Sequence, residues 1–314
     1  MSRFGRRKVL LSTLSLSSLP FLAPGRATAA AGRADSRQGR LPVPVLRTEQ
    51  FNLKSDTGRQ FVVQVGLPHD IDPDLPVMVR GRKPVALYVL DGDTTFGMVR
   101  DLTRMMQWGG DLPPCLVVGI TYPSEYLDRP VAEIHPRTFD LTPTPHGGYP
   151  DPALAKHLNA GGGGPAFLAF LEGKLIPLVR QRYEVDPEVC VLVGHSLGGL
   201  FTIGASTQSS AALRHYLALS PSLWWDERFE LKRFQGSLKN NFHHPGRLAV
   251  FVGEREERIA GALASMVGNV VALRGVLENY PTAFEKTLVQ ILPDEDHHTL
   301  HGIAISRGLR FLLN

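Results

Sequence analysis

Cysteine is scarce in this chain of 314 residues: only Cys115 and Cys190 occur, neither near the N-terminus, which excludes lipid attachment there. No apolar run reaches the roughly 20 residues that a bilayer span requires, which excludes a stable membrane anchor; the stretch from Val9 to Leu22 is too short. Acidic residues are missing from the first 29 positions, which hold Arg3, Arg6, Arg7, Lys8 and Arg26. Those five account for the basic balance of the whole. Taken from 34 Lys and Arg they leave 29 against 30 acids, so the remainder is near neutral and nothing points to nucleic acid or another polyanion as partner. Gly161 to Gly164 lack the Lys-Ser/Thr that follows a phosphate-cradling loop, which leaves a flexible joint as their reading. No internal repeat is present.

What is present at the N-terminus has the order of an export signal. A basic start, an apolar stretch and Ala27-Thr28-Ala29 succeed one another. The pair Arg6-Arg7 before Lys8 and leucines has the form of a twin-arginine signal, with the general secretion route as the alternative. Residues 1–29 are therefore expected to be removed, residues 30–45 to be a spacer, and residues 46–314 to form one domain with ample core, hydrophobic residues making up 43% of the chain. The protein is expected to be exported, to the periplasm or the exterior.

Within that domain the periodicity changes along the chain. Residues 50–53 and 59–67 alternate apolar and polar around Ser55-Asp56-Thr57-Gly58, an antiparallel hairpin at the sheet edge. Residues 84–91 and 115–120 are continuous apolar runs separated by a helical stretch over 98–108, the mark of a parallel βαβ unit buried on both faces. Residues 121–164, rich in Pro, Gly and His, show little periodicity and read as a lid-like insertion. A helix opened by Pro165 follows, then strands over 189–193, 216–219, 247–252 and 288–292, and a last helix over 303–313. The fold class is α/β: a mostly parallel central sheet, helices on both faces, and an antiparallel N-terminal edge.

The most informative stretch is 189–201, Val-Cys-Val-Leu-Val-Gly-His-Ser-Leu-Gly-Gly-Leu-Phe. An apolar strand runs into Gly194-His195-Ser196-Leu197-Gly198 and straight on into a helical pattern, which is a nucleophile elbow. Side chains two residues either side of the serine would clash in so tight a turn, and Gly194 and Gly198 remove them. The turn also aims free backbone N–H groups of the following helix at the space above Ser196, where an oxyanion develops in acyl transfer. Serine needs a base. In an open parallel sheet that base lies beyond the carboxyl ends of the strands, and His297, His298 and His301 all follow the last one.

Five ordered blocks carry a further signal: residues 87–96 (Leu-Tyr-Val-Leu-Asp-Gly-Asp-Thr-Thr-Phe), 137–143 (Arg-Thr-Phe-Asp-Leu-Thr-Pro), 194–201, 220–225 (Ser-Pro-Ser-Leu-Trp-Trp), and Glu295-Asp-His-His-Thr with 305–311. Together they resemble the esterase family of the α/β-hydrolase fold, in particular its trilactone siderophore esterases, over nearly all of residues 46–314. The resemblance implies an α/β-hydrolase fold and selects His297, directly after Glu-Asp, as base, with His298 as alternative and His301 at a helix start. It implies an acid after the strand ending at Val252: Glu256, with Glu254 as runner-up and a Ser-His dyad as a third possibility. For the oxyanion hole it implies the N–H groups of Leu197 and Asp93. Asp91 then holds its loop through local hydrogen bonds. Arg137 is the candidate to receive an anionic substrate, a pairing with Asp140 being the alternative. Trp224 is the candidate for the acyl pocket, and at least one of Trp224 and Trp225 belongs to the core. His195 is expected to be a packing residue.

This constellation implies ester hydrolysis through an acyl-enzyme on a small-molecule ester. No cofactor is required, and no metal, since His297 and His301 lack a third ligand. An acyltransferase, or a ligand-binding relative without catalysis, uses the same scaffold. Hydrolase strand order also places the Asp91 strand between those of Cys115 and Cys190, about 9.5 Å apart, so both are expected to be free thiols.

Overall fold

Most strands among the described residues are apolar along most of their length, and that composition decides where they lie. In the computed structural model, which describes residues 45–68, 82–127, 136–145, 160–208, 212–258 and 265–314, a single sheet runs through the body formed by Val45–Asn314. Its strands are β1 (Thr48–Lys54), β2 (Gln60–Gly66), β3 (Val85–Leu90), β4 (Cys115–Thr121), β5 (Cys190–His195), β6 (His215–Leu219), β7 (His244–Gly253) and β8 (Phe284–Leu292), in the spatial order β1-β2-β4-β3-β5-β6-β7-β8. β1, β2 and β4 pair antiparallel, and all pairs from β4 to β8 are parallel. Every residue of β3, β4 and β6 is buried, as expected of strands covered on both faces.

Helices supply that cover. Among the described residues they are α1 (Gly92–Trp108), α2 (Ser124–Leu127), α3 (Pro136–Asp140), α4 (Gly164–Phe170), α5 (Ile176–Tyr183), α6 (Leu197–Ser206), α7 (Trp225–Leu238), α8 (Met266–Asn279) and α9 (His301–Leu313). The period-2 alternation of β3 divides the interior: Ala86, Tyr88 and Leu90 face a core built with α4 to α8, whereas Val85, Leu87 and Val89 face one built with α1 and α9. α4 and α5 form one helical run through a π turn, Leu171–Leu175. Pro177 sits just beyond it, and the wider turn accommodates a residue that lacks an N–H and crowds the preceding carbonyls.

Several expectations need correction. α1 begins at Gly92, six residues before the expected helical stretch 98–108, because Asp91 turns the chain in a left-handed conformation (φ 55°) directly off β3. Residues 161–164 are not a loose joint. A Cβ on Gly161 would stand 2.3 Å from the Thr144 carbonyl oxygen, and one on Gly163 would stand 2.3 Å from the Phe139 ring, so these glycines permit close packing. The insertion 121–164 is described at 121–127, 136–145 and 160–164, where it forms α2 and α3; its remainder, like residues 1–44, on which the expected leader and spacer fall, lies outside the described residues. Cys115 and Cys190 are both free and buried, with β3 between their strands. No described helix is long and apolar enough to cross a membrane.

Candidate active site

β5 delivers Ser196 to the carboxyl edge of the sheet in a backbone conformation that side-chain-bearing residues rarely adopt, φ 59° and ψ −115°. Such a residue costs on the order of 1–3 kcal/mol and persists only where its surroundings enforce it. They do so here at backbone distance. A Cβ on Gly194 would lie 2.2 Å from the Gly198 carbonyl oxygen, so the turn can close only with glycine there. Ser196 N–H donates to the Leu219 carbonyl (3.0 Å), and its carbonyl accepts from Leu200 N–H (2.9 Å) and Ser222 N–H (3.1 Å). Leu197 is the first residue of α6 and Asp93 the second of α1, so neither N–H has an intrahelical acceptor. The two helix starts adjoin: a Cβ on Gly198 would be 3.2 Å from Asp91 Oδ2.

The base and acid candidates meet on the loops that follow the neighbouring parallel strands β8 and β7. His297 Nδ1 lies 2.7 Å from Glu256 Oε2, with the Glu256 side chain fully buried and that of His297 22% exposed. A carboxylate accepts only, so Nδ1 carries the proton and Nε2 is left as the ring's basic nitrogen. The other oxygen of Glu256 accepts from Ser220 Oγ at 2.5 Å and from Gly253 N–H at 2.6 Å. Glu254 is exposed and accepts from Asp294 N–H instead (3.2 Å). His298 is exposed, its N–H donating to Asp296 Oδ1 (2.8 Å), and His301 starts α9 with Nδ1 bonded to the His298 carbonyl (2.9 Å). The Ser196 hydroxyl lies 3.3 Å from that of Ser222 and makes no hydrogen bond to the His297 ring. Such contacts often close only when substrate binds.

His195 does more than pack. Its Nε2 donates to the His297 carbonyl at 2.8 Å, and its ring sits between His297 (centroids 4.4 Å apart) and His301 (4.3 Å). Burial, reinforced by the charges that His297 and His301 would carry, lowers its pKa to about 2. It is therefore a neutral donor that ties the elbow to the loop of the base.

Arg137 has a partner that neither of its sequence readings named, Asp91. Its Nε and Nη2 grip Asp91 Oδ1 and Oδ2 at 2.6 and 3.0 Å, and Nη2 reaches the His195 carbonyl at 3.5 Å. Asp140 pairs with Arg59 instead (3.3 Å). The Asp91 carboxylate thus holds a residue 46 positions away, while its carbonyl takes the local bonds from Thr94 and Thr95 N–H, both at 3.0 Å. Trp225 is the core tryptophan, fully buried, with Nε1 donating to Thr144 Oγ1 at 3.0 Å. Trp224 is half-buried against the same core, ring centroids 6.0 Å away. Ser220 and Ser222 are polar contacts of the site that sequence reasoning gave no role. Their signal was two hydroxyls flanking Pro221 directly after a central strand. No group of three residues among those described could hold a metal ion.

A strained serine between a parallel strand and a helix, with a buried carboxylate-histidine pair on the same sheet edge, defines an α/β-hydrolase. The chain belongs to the family described as "Putative esterase", whose model matches residues 55–264; it is an ester hydrolase by descent. It is 27% identical over 236 residues to the ferri-bacillibactin esterase BesA of Bacillus subtilis, covering 73% of this chain and 78% of the relative. It is 29% identical over 298 residues to the siderophore triacetylfusarinine C esterase of Aspergillus fumigatus, 85% and 94% of the two chains. Among solved structures, the siderophore hydrolase EstB of Aspergillus nidulans superposes with a TM-score of 0.71 at 24% identity, over 87% of this chain and 97% of the other, a likeness of fold.

Proposed function

We propose that this protein is an exported serine esterase that opens carboxylic esters, siderophore trilactones among them, through an acyl-enzyme. The observation that supports this reading most is the bond between His297 Nδ1 and the buried Glu256, which leaves Nε2 as proton acceptor on the sheet edge that carries a serine strained into an elbow. In this reading His297 takes the Ser196 proton and Ser196 Oγ attacks the ester carbonyl. The N–H groups of Leu197 and Asp93 receive the oxyanion, and His297 returns the proton to the leaving alkoxide. Water, deprotonated in turn by His297, releases the acyl group. Glu256 keeps the imidazole in the required tautomer and stabilises its cation. Trp224 borders the acyl pocket.

Siderophore esters are proposed as substrates because relatives matched over most of the chain are named for that activity. Export rests on the leader, residues 1–29. The test uses residues 30–314 with short acyl esters, lipid esters and trilactone siderophores, free and iron-loaded, alongside a fluorophosphonate probe. Hydrolysis of the trilactones and labelling lost in Ser196→Ala are the expected results. Labelling that persists in Ser196→Ala refutes the nucleophile, and hydrolysis confined to short esters refutes the substrate.

A further inference from the structure

We infer that the turn Ser220-Pro221-Ser222 is a positioning brace, which orients the acid through Ser220 and the nucleophile through Ser222. This inference rests on the serine-esterase reading of Ser196, His297 and Glu256. The turn leaves β6 between the two strands that carry those groups, β5 and β7, and touches both. On one side, Ser222 N–H donates to the Ser196 carbonyl (3.1 Å) and Ser222 Oγ lies 3.3 Å from Ser196 Oγ. On the other, Ser220 N–H donates to the Phe251 carbonyl (2.7 Å) and Ser220 Oγ to Glu256 Oε1 (2.5 Å). The turn also abuts the elbow helix, since a Cβ on Gly199 would stand 2.7 Å from the Leu219 carbonyl oxygen and 2.9 Å from Pro221 Cα.

Ser220 has φ 40°. Glycine takes that region without strain, whereas serine is held there against its backbone preference. What serine adds is the hydroxyl, and its target is a carboxylate with no exposed surface. Two donors, Ser220 Oγ–H and Gly253 N–H, fix Oε1, which sets the carboxylate plane and leaves Oε2 to His297. Ser222 is 2% exposed, and its hydroxyl is the hydrogen-bond partner of the Ser196 hydroxyl, so it sets the direction from which Ser196 Oγ swings to the base. Neither residue is required to touch the substrate; both act through groups that do.

The test compares Ser220→Ala, Ser220→Gly, Ser222→Ala and Ser196→Ala on one neutral activated ester. It records kcat, KM, Tm and the lowest-field proton resonance, assigned to His297 Nδ1–H by its absence in His297→Gln. Both Ser220 variants should lose about tenfold or more in kcat, the worth of a hydrogen bond to a charged group, with KM within about twofold. The His297 resonance should move in both. Ser220→Gly should melt above Ser220→Ala, because the strained φ is relieved. Ser222→Ala should slow fluorophosphonate labelling several-fold and leave that resonance in place. Wild-type kcat in both Ser220 variants, or a loss that follows Tm with the resonance unmoved, overturns the brace. Activity retained in Ser196→Ala overturns the underlying esterase reading instead, so the two failures are distinct.

Discussion

Glutamine at position 256 should disable the enzyme without unfolding it, and the surroundings of Glu256 say how. The carboxylate accepts three bonds: from Ser220 Oγ and Gly253 N–H on Oε1, and from His297 Nδ1 on Oε2. An amide of the same shape must turn its NH₂ to one side. Ser220 can rotate its hydroxyl to accept, but the Gly253 N–H at 2.6 Å is fixed by the backbone and can only donate. The amide nitrogen is therefore driven to the His297 side, where it donates to Nδ1 and forces the ring proton onto Nε2. In that tautomer the imidazole has no lone pair for the serine proton. The same error in a serine protease costs about 10⁴ in kcat, or roughly 5.4 kcal/mol at about 1.36 kcal/mol per decade. Glu254→Gln removes only an exposed charge, its amide oxygen still able to accept from Asp294 N–H, and should change kcat by less than about threefold, since such surface changes are worth under about 0.5 kcal/mol. The assay is kcat and KM for both variants on one neutral activated ester, with a thermal melt of each. A Glu256→Gln enzyme within about tenfold of wild type refutes the argument and leaves a Ser196-His297 dyad.

Further expectations follow from the same geometry. Arg137→Gln leaves the Asp91 carboxylate, 9% exposed, without its bidentate partner. It should destabilise by roughly 2–3 kcal/mol, below the 3–5 of a wholly buried pair because the arginine side chain is 29% exposed. Activity on neutral and anionic esters should fall equally, and a loss confined to anionic esters would restore Arg137 to substrate recognition. Burial raises the pKa of Cys115 to about 12 and of Cys190 to about 11, so neither thiol should react with an aromatic disulfide reagent in the native state and both should react on denaturation. A tryptic peptide containing both cysteines cross-linked would show the strand order to be wrong.

Stability should also fall with acid. Burial lowers His215 and His244 to about 4 and His195 to about 2, all from 6.5, so each takes up a proton on unfolding between pH 6.5 and its folded value. Asp140, raised by burial from 3.8 to about 6, releases one over pH 6 to 3.8 and opposes them. Glu230, also raised by burial, adds to the opposition, and His301, lowered by burial, adds to the uptake; the histidines are the more numerous, so stability should fall as the pH drops from 6.5 towards 5, and a Tm unchanged between pH 7 and 5 contradicts it.

Much of the architecture was legible because its causes are local. Apolar runs without alternation at residues 85–90 and 115–121 can only be strands covered on both faces, and the alternation at 48–66 can only be an edge hairpin. The elbow was equally readable, since the clash that demands Gly194 involves residues four apart in the chain. Choices among equivalent residues were not legible from composition or periodicity. Glu254 and Glu256 share one loop and His297 and His298 are neighbours, yet only Glu256 and His297 meet, because β7 and β8 run side by side and deliver their loops to one point: a Cβ on Gly253 would stand 2.4 Å from the Glu295 carbonyl oxygen. Arg137 holds Asp91 rather than its helix neighbour Asp140, and Trp225 rather than Trp224 fills the core, for the same kind of reason. Periodicity and steric exclusion act over a few residues and are written in the chain. The partner of a buried charge is whichever group the strand order brings within 3 Å, and only the closed sheet decides that.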